Sequence, residues 1–491
     1  MICQLTPGHA QDFGLLQEAL SSAASAGKCS GKVGVASCRA ADAVICGSLP
    51  LTLIRMIRMS TPRRLPATVI DLVVAYCRRL GDIVTLLEAS FAHQLDEQRL
   101  AEALLLLQES QPVLGSRLVI SPWQAYWEQL APEQRSRLVV VHDTSAYEAF
   151  RISKLDAERG APVQACLFRH RDGDRLLFKL AHEAGDGGAI KESVGLLAEI
   201  YNRLAHEPRY RPVPNWSGSR GLEQVLRRIP LRAFPGIFGN IKYFQDTLRL
   251  ARQDAQRSAA AKTSAAVTER EQLLYPQRLI DKERTAALGR YGKPYGATIT
   301  DLFLAATFRA VARALSTSQD LQLTITVDLR RYLPGGRAEG IGNLSGTEII
   351  NLPSIGESYA DTLAEIVRTT SERKRNYIGI NGFSAFVPLV RPLPPRLLQT
   401  TMDVFTRRMV PRSNVPSLFS NIGIIPTPVV TFDTPASQAR LLPSATYPPA
   451  FVPALSGYQG ELTLSIGTYG RPGVPTAGEQ FLDRTLAELP V

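Results

Sequence analysis

The segment from Arg175 to Leu204 constrains the fold more than any other part of the chain. Its first seven residues, Arg175–Ala181, alternate in side-chain direction without a breaker residue and predict a β-strand. Glycines follow at 185, 187 and 188, and the apolar residues after Ala189 recur at helical spacing. The segment therefore predicts a strand, a glycine-rich turn and an amphipathic helix. The helix's apolar positions are Ile190, Val194, Leu197, Ile200, Tyr201 and Leu204.

His182 and Asp186 lie at the junction where this strand ends and the helix begins. Side chains at such junctions are commonly aimed at a ligand cavity. The run His182-x-x-x-Asp186-Gly187 resembles the HxxxDG motif of one superfamily. Its members include chloramphenicol acetyltransferase, peptide-synthetase condensation domains, BAHD acyltransferases, wax ester synthases and bacterial alcohol acyltransferases.

Further segments resemble other parts of that superfamily, in the same order along the chain. A strand at 83–91 and a helix at about 97–109 precede the motif, and a helix over 297–315, with Thr300 as its expected N-cap, follows it. The remaining matches are Gln111–Arg117, Asp328-Leu329-Arg330-Arg331, Ile341-Gly342-Asn343-Leu344, Leu418–Ile425 and Glu461–Tyr469.

The resemblance implies an α/β fold with mixed sheets, arranged as two chloramphenicol-acetyltransferase-like domains with an active-site tunnel between them. We expect an N-terminal acyltransferase subdomain at 61–214, a basic connector at 215–280 and a C-terminal subdomain at 281–491. Residues 1–60 differ in composition and hold four of the six cysteines. They are either a flexible extension or a mis-assigned start, with Met56 or Met59 as the true first residue.

His182 is the expected catalytic residue, because a neutral imidazole can take the proton of an attacking hydroxyl or amine near pH 7. No GxSxG nucleophile elbow is present in the sequence, and direct transfer needs none. By the resemblance, Asp186 and Gly187 support the site, and Asp186 pairs with Arg330. Asn343, Ser420 and Asn421 are the expected contacts to substrate or to the developing oxyanion.

Three positions depart from the superfamily's patterns. Ala181 replaces the first histidine of the HHxxxDG form, and no DFGWG segment is present, which argues against a plant-type enzyme. Glu183 places an acid beside the expected base, and we expect its side chain to point outward.

The chain carries a net charge of +11. Only 7% of its residues are aromatic, and no basic strands interleaved with aromatic residues are found, so a nucleic-acid partner is not expected. Residues 218–262 hold nine basic and three acidic side chains among apolar ones. This segment is either an interdomain helix with a solvated basic face or a peripheral contact with an anionic membrane.

No cysteine or histidine spacing is typical of a metal site, and no apolar run is long enough to span a bilayer. We expect a cytoplasmic monomer, with peripheral contact to the inner membrane surface as the alternative. No permanently bound cofactor is expected; acyl-CoA or a phosphopantetheine-linked acyl carrier protein is the donor, and a small alcohol or amine is the acceptor.

The predicted function is acyl transfer from a CoA or carrier-protein thioester to a hydroxyl or amine of a lipid or secondary metabolite. Three alternatives remain open: an amide-forming condensation-type domain, a non-catalytic relative that binds a carrier protein or membrane, and a membrane wax-ester or triacylglycerol synthase.

Overall fold

The structure is a computed structural model of the 491-residue chain. It describes residues 63–233, 271–380, 383–409, 416, 418–448 and 450–491. The predicted extension at 1–60 lies outside these residues, and so does the basic segment from residue 234 to 262.

The described helices follow one another along the chain. They are α1 (Val69–Cys77), α2 (Glu97–Ser110), α3 (Thr144–Ile152), α4 (Gly187–Leu204), α5 (Glu223–Leu226), α6 (Lys282–Gly292), α7 (Ile299–Leu315), α8 (Tyr359–Arg375), α9 (Phe383–Val390), α10 (Pro395–Met409) and α11 (Ala477–Ala487).

The described strands are mostly short. They are β1 (Arg64–Pro66), β2 (Val84–Ser90), β3 (Ser116–Ile120), β4 (Ala125–Gln129), β5 (Leu138–Val141), β6 (Val163–His170), β7 (Gly173–Ala181), β8 (Gln272–Leu274), β9 (Gln277–Ile280), β10 (Gln319–Asp328), β11 (Ser345–Ser354), β12 (Leu418–Ile424), β13 (Thr431–Phe432), β14 (Thr434–Pro435), β15 (Gln438–Leu442), β16 (Ala445–Thr446), β17 (Ala454–Tyr458), β18 (Glu461–Ser465) and β19 (Gly467–Gly470).

Two mixed sheets form the framework, as predicted. The N-terminal sheet has the order β15-β2-β7-β6-β5, and the C-terminal sheet has the order β11-β10-β12-β17-β18-β9. Strand β15 comes from the C-terminal part of the chain, yet it pairs antiparallel with β2 of the N-terminal sheet. The two halves are therefore joined by backbone hydrogen bonds, which the sequence boundaries did not indicate.

The strand β7 is buried on both faces, and this fixes the direction of its last residues. Leu176, Phe178 and Leu180 belong to the core beneath α2 and α4, whereas Leu177 belongs to a smaller cluster on the opposite face. Burying each such leucine contributes roughly 1.5–3 kcal/mol. The packing of β7 therefore holds His182 at a rigid edge of the N-terminal sheet.

Side-chain caps define the starts of the helices that position the site, and the predicted N-cap of α7 is wrong. Asp186 is the N-cap of α4 and accepts a hydrogen bond from the Ala189 amide. The N-cap of α7 is Thr298, which forms a capping box with Asp301. Thr300, the predicted N-cap, lies inside the first turn of α7 and accepts a hydrogen bond from Asn421 instead.

Candidate active site

His182 is the first residue after β7. Its backbone amide donates to the Ile83 carbonyl at 3.0 Å, which extends the pairing of β7 with β2 by one residue. The side chain is half-buried. The imidazole is thus held at a sheet edge while it keeps access to solvent or ligand.

Asn343 fixes the orientation of this imidazole. Its amide nitrogen donates to the carbonyls of His182 and Glu183 at 2.8 and 3.2 Å, so its oxygen is the atom that faces the ring. That oxygen lies 3.1 Å from His182 Nδ1. An amide oxygen only accepts, so Nδ1 carries the proton and Nε2 carries the free lone pair. In the described part of the chain no protein partner is found for Nε2.

These contacts give Asn343 a role different from the predicted one, which was a contact to substrate or to the developing oxyanion. Both of its amide hydrogens are used by backbone carbonyls, so none remains for an oxyanion. Its contacts instead make it a residue that positions His182.

Asp186 is buried and fully satisfied. One carboxylate oxygen accepts from Arg330 Nη1 and from the Ala189 amide, both at 2.9 Å. The other accepts from the Leu344 amide at 2.7 Å and from the Ser345 hydroxyl at 2.8 Å. Burial by itself raises the pKa of Asp186, but Arg330 and these donors outweigh it and hold the pKa below its usual range.

Arg330 links Asp186 to the second half of the molecule, and the predicted pairing of the two is present. Arg330 also contacts Asp328 at 3.2 Å, Glu192 at 3.1 Å and the Gly342 carbonyl at 3.0 Å. Burial lowers the pKa of this guanidinium, yet Asp186 and the other carboxylates raise it overall. The cluster holds the turn after β7 against the loop that carries Asn343, with both charges compensated.

Gly187 and Gly188 are the first two residues of α4 rather than part of a turn before it. A Cβ at Gly188 would collide with the Arg330 guanidinium, and one at Gly187 would collide with the Ile422 side chain. These glycines therefore make room for protein groups, and they let β12 and Arg330 approach the helix start.

Ser420 and Asn421 lie on β12, and within the described residues neither side chain is hydrogen-bonded to His182. Ser420 Oγ is 3.0 Å from Thr326 Oγ1, and Asn421 donates to Thr300 Oγ1 at 2.5 Å. The β12–β17 register shifts between Asn421 and Gly423. Lys191 of α4 donates to the Ile422 carbonyl at this bulge at 2.9 Å, which ties β12 to the helix.

Glu183 does not point outward as expected. It is buried and forms an ion pair with Arg78, whose guanidinium also contacts Asp156 and Glu158 at 3.2 and 2.8 Å. The Arg78 partner is about a hundred positions away in sequence, so no local signal indicated it. The acid beside the base is therefore neutralised by its own arginine.

Other reactive groups are sparse near this site. No cluster of three or more His, Cys, Asp or Glu side chains that could hold a metal ion is found among the described residues. Both described cysteines are free thiols, and burial raises the pKa of Cys166 to about 11. None of the described helices has the length and apolar character of a membrane span.

No protein-family model and no curated protein sequence matches the chain. Solved structures do match. Polyketide synthase associated protein 5 from Mycobacterium tuberculosis is similar over 87% of this chain and 98% of its own, with 16% identity and a TM-score of 0.61.

Two further structures match with similar coverage. The first condensation domain of the CDA synthetase matches 87% of this chain and 95% of its own, at 17% identity and a TM-score of 0.58. TRI3 trichothecene 15-O-acetyltransferase from Fusarium sporotrichioides matches over the same shares, at 13% identity and a TM-score of 0.60. The predicted fold is thereby confirmed, since the chain shares the fold of these condensation-domain and acetyltransferase structures.

Proposed function

We propose that this protein is an acyltransferase that moves an acyl group from a thioester to a hydroxyl or amine, with His182 as general base. The single observation that carries the proposal is the pairing of His182 Nδ1 with the Asn343 oxygen. In the neutral imidazole this contact puts the lone pair on Nε2, at a half-buried sheet edge.

The reaction begins when Nε2 of His182 takes the proton of the acceptor's hydroxyl or amine. The acceptor's oxygen or nitrogen forms a bond to the thioester carbonyl carbon, and the carbonyl electrons move to its oxygen. When the carbonyl reforms, the carbon–sulfur bond breaks, and the imidazolium returns the proton to the departing thiolate. No acyl-enzyme forms.

Oxyanion stabilisation is assigned to Ser420. Its hydroxyl and that of Thr326 share one hydrogen bond of 3.0 Å, so one of the two hydroxyl hydrogens remains free to donate. Asn421 keeps one amide hydrogen beyond its bond to Thr300, and it is the second candidate.

The proposed donor class rests on the resemblance seen in the sequence, and the likeness to the neighbours supports it. TRI3 is an O-acetyltransferase, and the CDA synthetase domain is a condensation domain. We therefore propose acyl-CoA or a carrier-protein thioester as donor, bound as a substrate, and a small alcohol or amine as acceptor.

Condensation-type amide formation is the second candidate, favoured by the likeness to the condensation domain. A non-catalytic relative that binds a carrier protein is the third candidate.

The proposal also includes a cytoplasmic monomer. Peripheral membrane contact through residues 218–262 is the alternative, and liposome flotation of the protein with and without that segment tests it.

Release of free thiol from short to long acyl-CoA donors and from carrier-bound thioesters, with alcohols and amines as acceptors, tests the proposal. We expect His182→Ala to reduce turnover by about 10²–10⁴-fold, the usual contribution of a general base. His206→Ala, an exposed histidine at the end of α4, is the matched control and should retain full activity.

Full activity in a folded His182→Ala protein would refute the assignment of the base. Inert wild-type protein with every donor, confirmed as folded by circular dichroism, would favour the non-catalytic relative.

A further inference from the structure

A cavity lies between the two sheets, away from His182. Its volume is about 310 Å³. Glu88 of β2 lines it and pairs with Leu177 of β7, five positions before His182. At about 3.4 Å per strand residue, the cavity lies roughly 17 Å along the sheet from the imidazole.

One wall belongs to the N-terminal sheet and carries the charged side chains Glu88 and Arg440. Glu88 accepts a hydrogen bond from Arg440 at 2.7 Å and, behind the wall, forms an ion pair with Arg151 at 2.8 Å, so two guanidinium groups face one carboxylate. Burial raises the pKa of Glu88, but the two arginines lower it overall, so it stays ionised. Within the described residues the terminal nitrogens of Arg440 have no protein partner, and that side chain is 33% exposed.

The opposite wall belongs to the C-terminal sheet and carries acceptors. Pairing of β9 with β18 places Gln277 beside Ser465 and Leu279 beside Thr463 on one face. Glu461 lies two positions before Thr463 and therefore on that same face. The half-buried Glu461 carboxylate forms no ion pair with any described residue, although Arg440 lines the same cavity.

A buried acceptor without a partner gives a second, independent observation. Gln277 lines the cavity, and its buried Oε1 lacks a hydrogen-bond partner among the described residues. Leaving such a group unpaired costs about 1–3 kcal/mol. A ligand that brings N–H donors to this wall removes that cost.

We propose that this cavity binds a small zwitterion, such as an amino acid, with its carboxylate on Arg440 and its ammonium on Glu461 and Gln277. Arg440 and Glu461 are opposite charges on the two walls, and they form no ion pair with each other. A charge-assisted contact at each end therefore fixes the ligand's orientation. Amide and hydroxyl groups of Gln438 and Thr463 suit a polar side chain. This proposal is independent of the acyltransferase assignment.

Isothermal titration calorimetry with three matched probes tests it. L-glutamine carries both charges, glutaramate lacks the ammonium, and 4-aminobutanamide lacks the carboxylate. We expect saturable binding of L-glutamine, with each analogue at least about tenfold weaker, since each loses one charge-assisted contact. Titrating the His182→Ala protein as well separates binding at this cavity from the acyl transfer reaction.

Substitutions of residues that line the cavity test whether L-glutamine binds there. Glu461→Gln should weaken L-glutamine by about tenfold and leave glutaramate unchanged, because only the ammonium contact is removed. Gln277→Leu should also weaken L-glutamine while the melting temperature stays the same or rises, since a buried unpaired acceptor is removed. Glu357→Gln, at an exposed glutamate in the loop before α8, is the control and should have no effect.

Any of three results would overturn the proposal. The first is the absence of saturable heat with L-glutamine up to about 10 mM. The second is an affinity for either analogue equal to that for L-glutamine, and the third is an unchanged L-glutamine affinity in a folded Glu461→Gln protein.

Discussion

Asn343 decides at the residue scale which nitrogen of His182 can act as base. Its amide is held by two backbone carbonyls, so it cannot flip without losing both bonds. The residue thereby couples the loop before β11 to the chemistry at the end of β7. A histidine alone at this position would have two tautomers available, and only one leaves Nε2 free.

Asn343→Ala should lower kcat by about 10–100-fold with little change in KM, as for loss of a group that orients a catalytic ligand. Steady-state thiol release measures both constants. Asn343→Asp is the sharper variant: a carboxylate beside Nδ1 stabilises the imidazolium, so the acid limb of kcat/KM should move to higher pH. An unchanged pH profile and unchanged kcat in both variants would contradict the positioning role.

At the scale of secondary-structure elements, the N-terminus of α4 connects the helix to the candidate site. Asp186 caps this helix and simultaneously binds Arg330, Leu344 and Ser345 from the second half of the chain. The absence of a side chain at Gly188 makes room for the guanidinium. One helix start thus performs capping, charge compensation and interdomain packing.

Gly188→Ala should destabilise the protein by about 1–3 kcal/mol, because the added methyl displaces Arg330 from a packed site. The same substitution at Gly289, exposed in helix α6 with no atom within 4 Å of an added Cβ, is the matched control. It should stabilise by about 0.5–1 kcal/mol through helix propensity. Urea unfolding of both variants measures the difference, and equal stability of the two would contradict the steric argument.

Lys179 of β7 stabilises the C-terminal end of α3. Its ammonium donates to the Phe150 carbonyl at 3.1 Å, to the Ser153 hydroxyl at 3.0 Å and to the Ser153 carbonyl. Burial lowers the pKa of Lys179 to about 8. The unfolded lysine titrates near pH 10.4, so between pH 8 and that value the unfolded chain binds the extra proton.

The free energy of unfolding of wild type relative to Lys179→Met should therefore rise from pH 8 to pH 10, by about 1.4 kcal/mol per pH unit at most. Below pH 8 the difference should be constant. Urea unfolding of both proteins across this range isolates Lys179, because the other titrating groups are common to both. A flat difference above pH 8 would show that the lysine is not desolvated.

Strand β15 joins the two halves at the scale of the whole molecule. It pairs with β2 along five residues, and its Arg440 forms an ion pair with Glu88 inside the N-terminal sheet. Tyr147 of α3 donates to that same carboxylate at 3.1 Å. The N-terminal sheet is incomplete without this strand from the C-terminal half, so the halves should not unfold independently.

Urea unfolding should give coincident transitions by tryptophan fluorescence and far-ultraviolet circular dichroism. All three tryptophans, Trp123, Trp127 and Trp216, lie before residue 217, so fluorescence reports on the N-terminal half while dichroism reports on the whole chain. Glu88→Gln should shift both midpoints together. Two separated transitions would contradict a single cooperative unit.

Local sequence patterns predicted much of the secondary structure around the candidate site. The period of the apolar residues defined β7 and α4, and the turn between them located His182 and Asp186 within one or two residues. The Asp186–Arg330 pairing was predictable only through the resemblance, because no local rule joins residues that far apart. Helix α2 was predicted at about 97–109 and is found at Glu97–Ser110, where Asp96 caps it.

Tertiary structure decided the rest. The orientation of Asn343, the Arg78–Glu183 pair, the β12 bulge and the β15–β2 pairing each join segments that are far apart in sequence. Side-chain periodicity specifies which face of an element is buried, but it doesn't specify the partner that covers that face. Tertiary packing determines that partner. The sequence therefore predicted the position of the imidazole, whereas its tautomer depends on a contact that forms only in the folded protein.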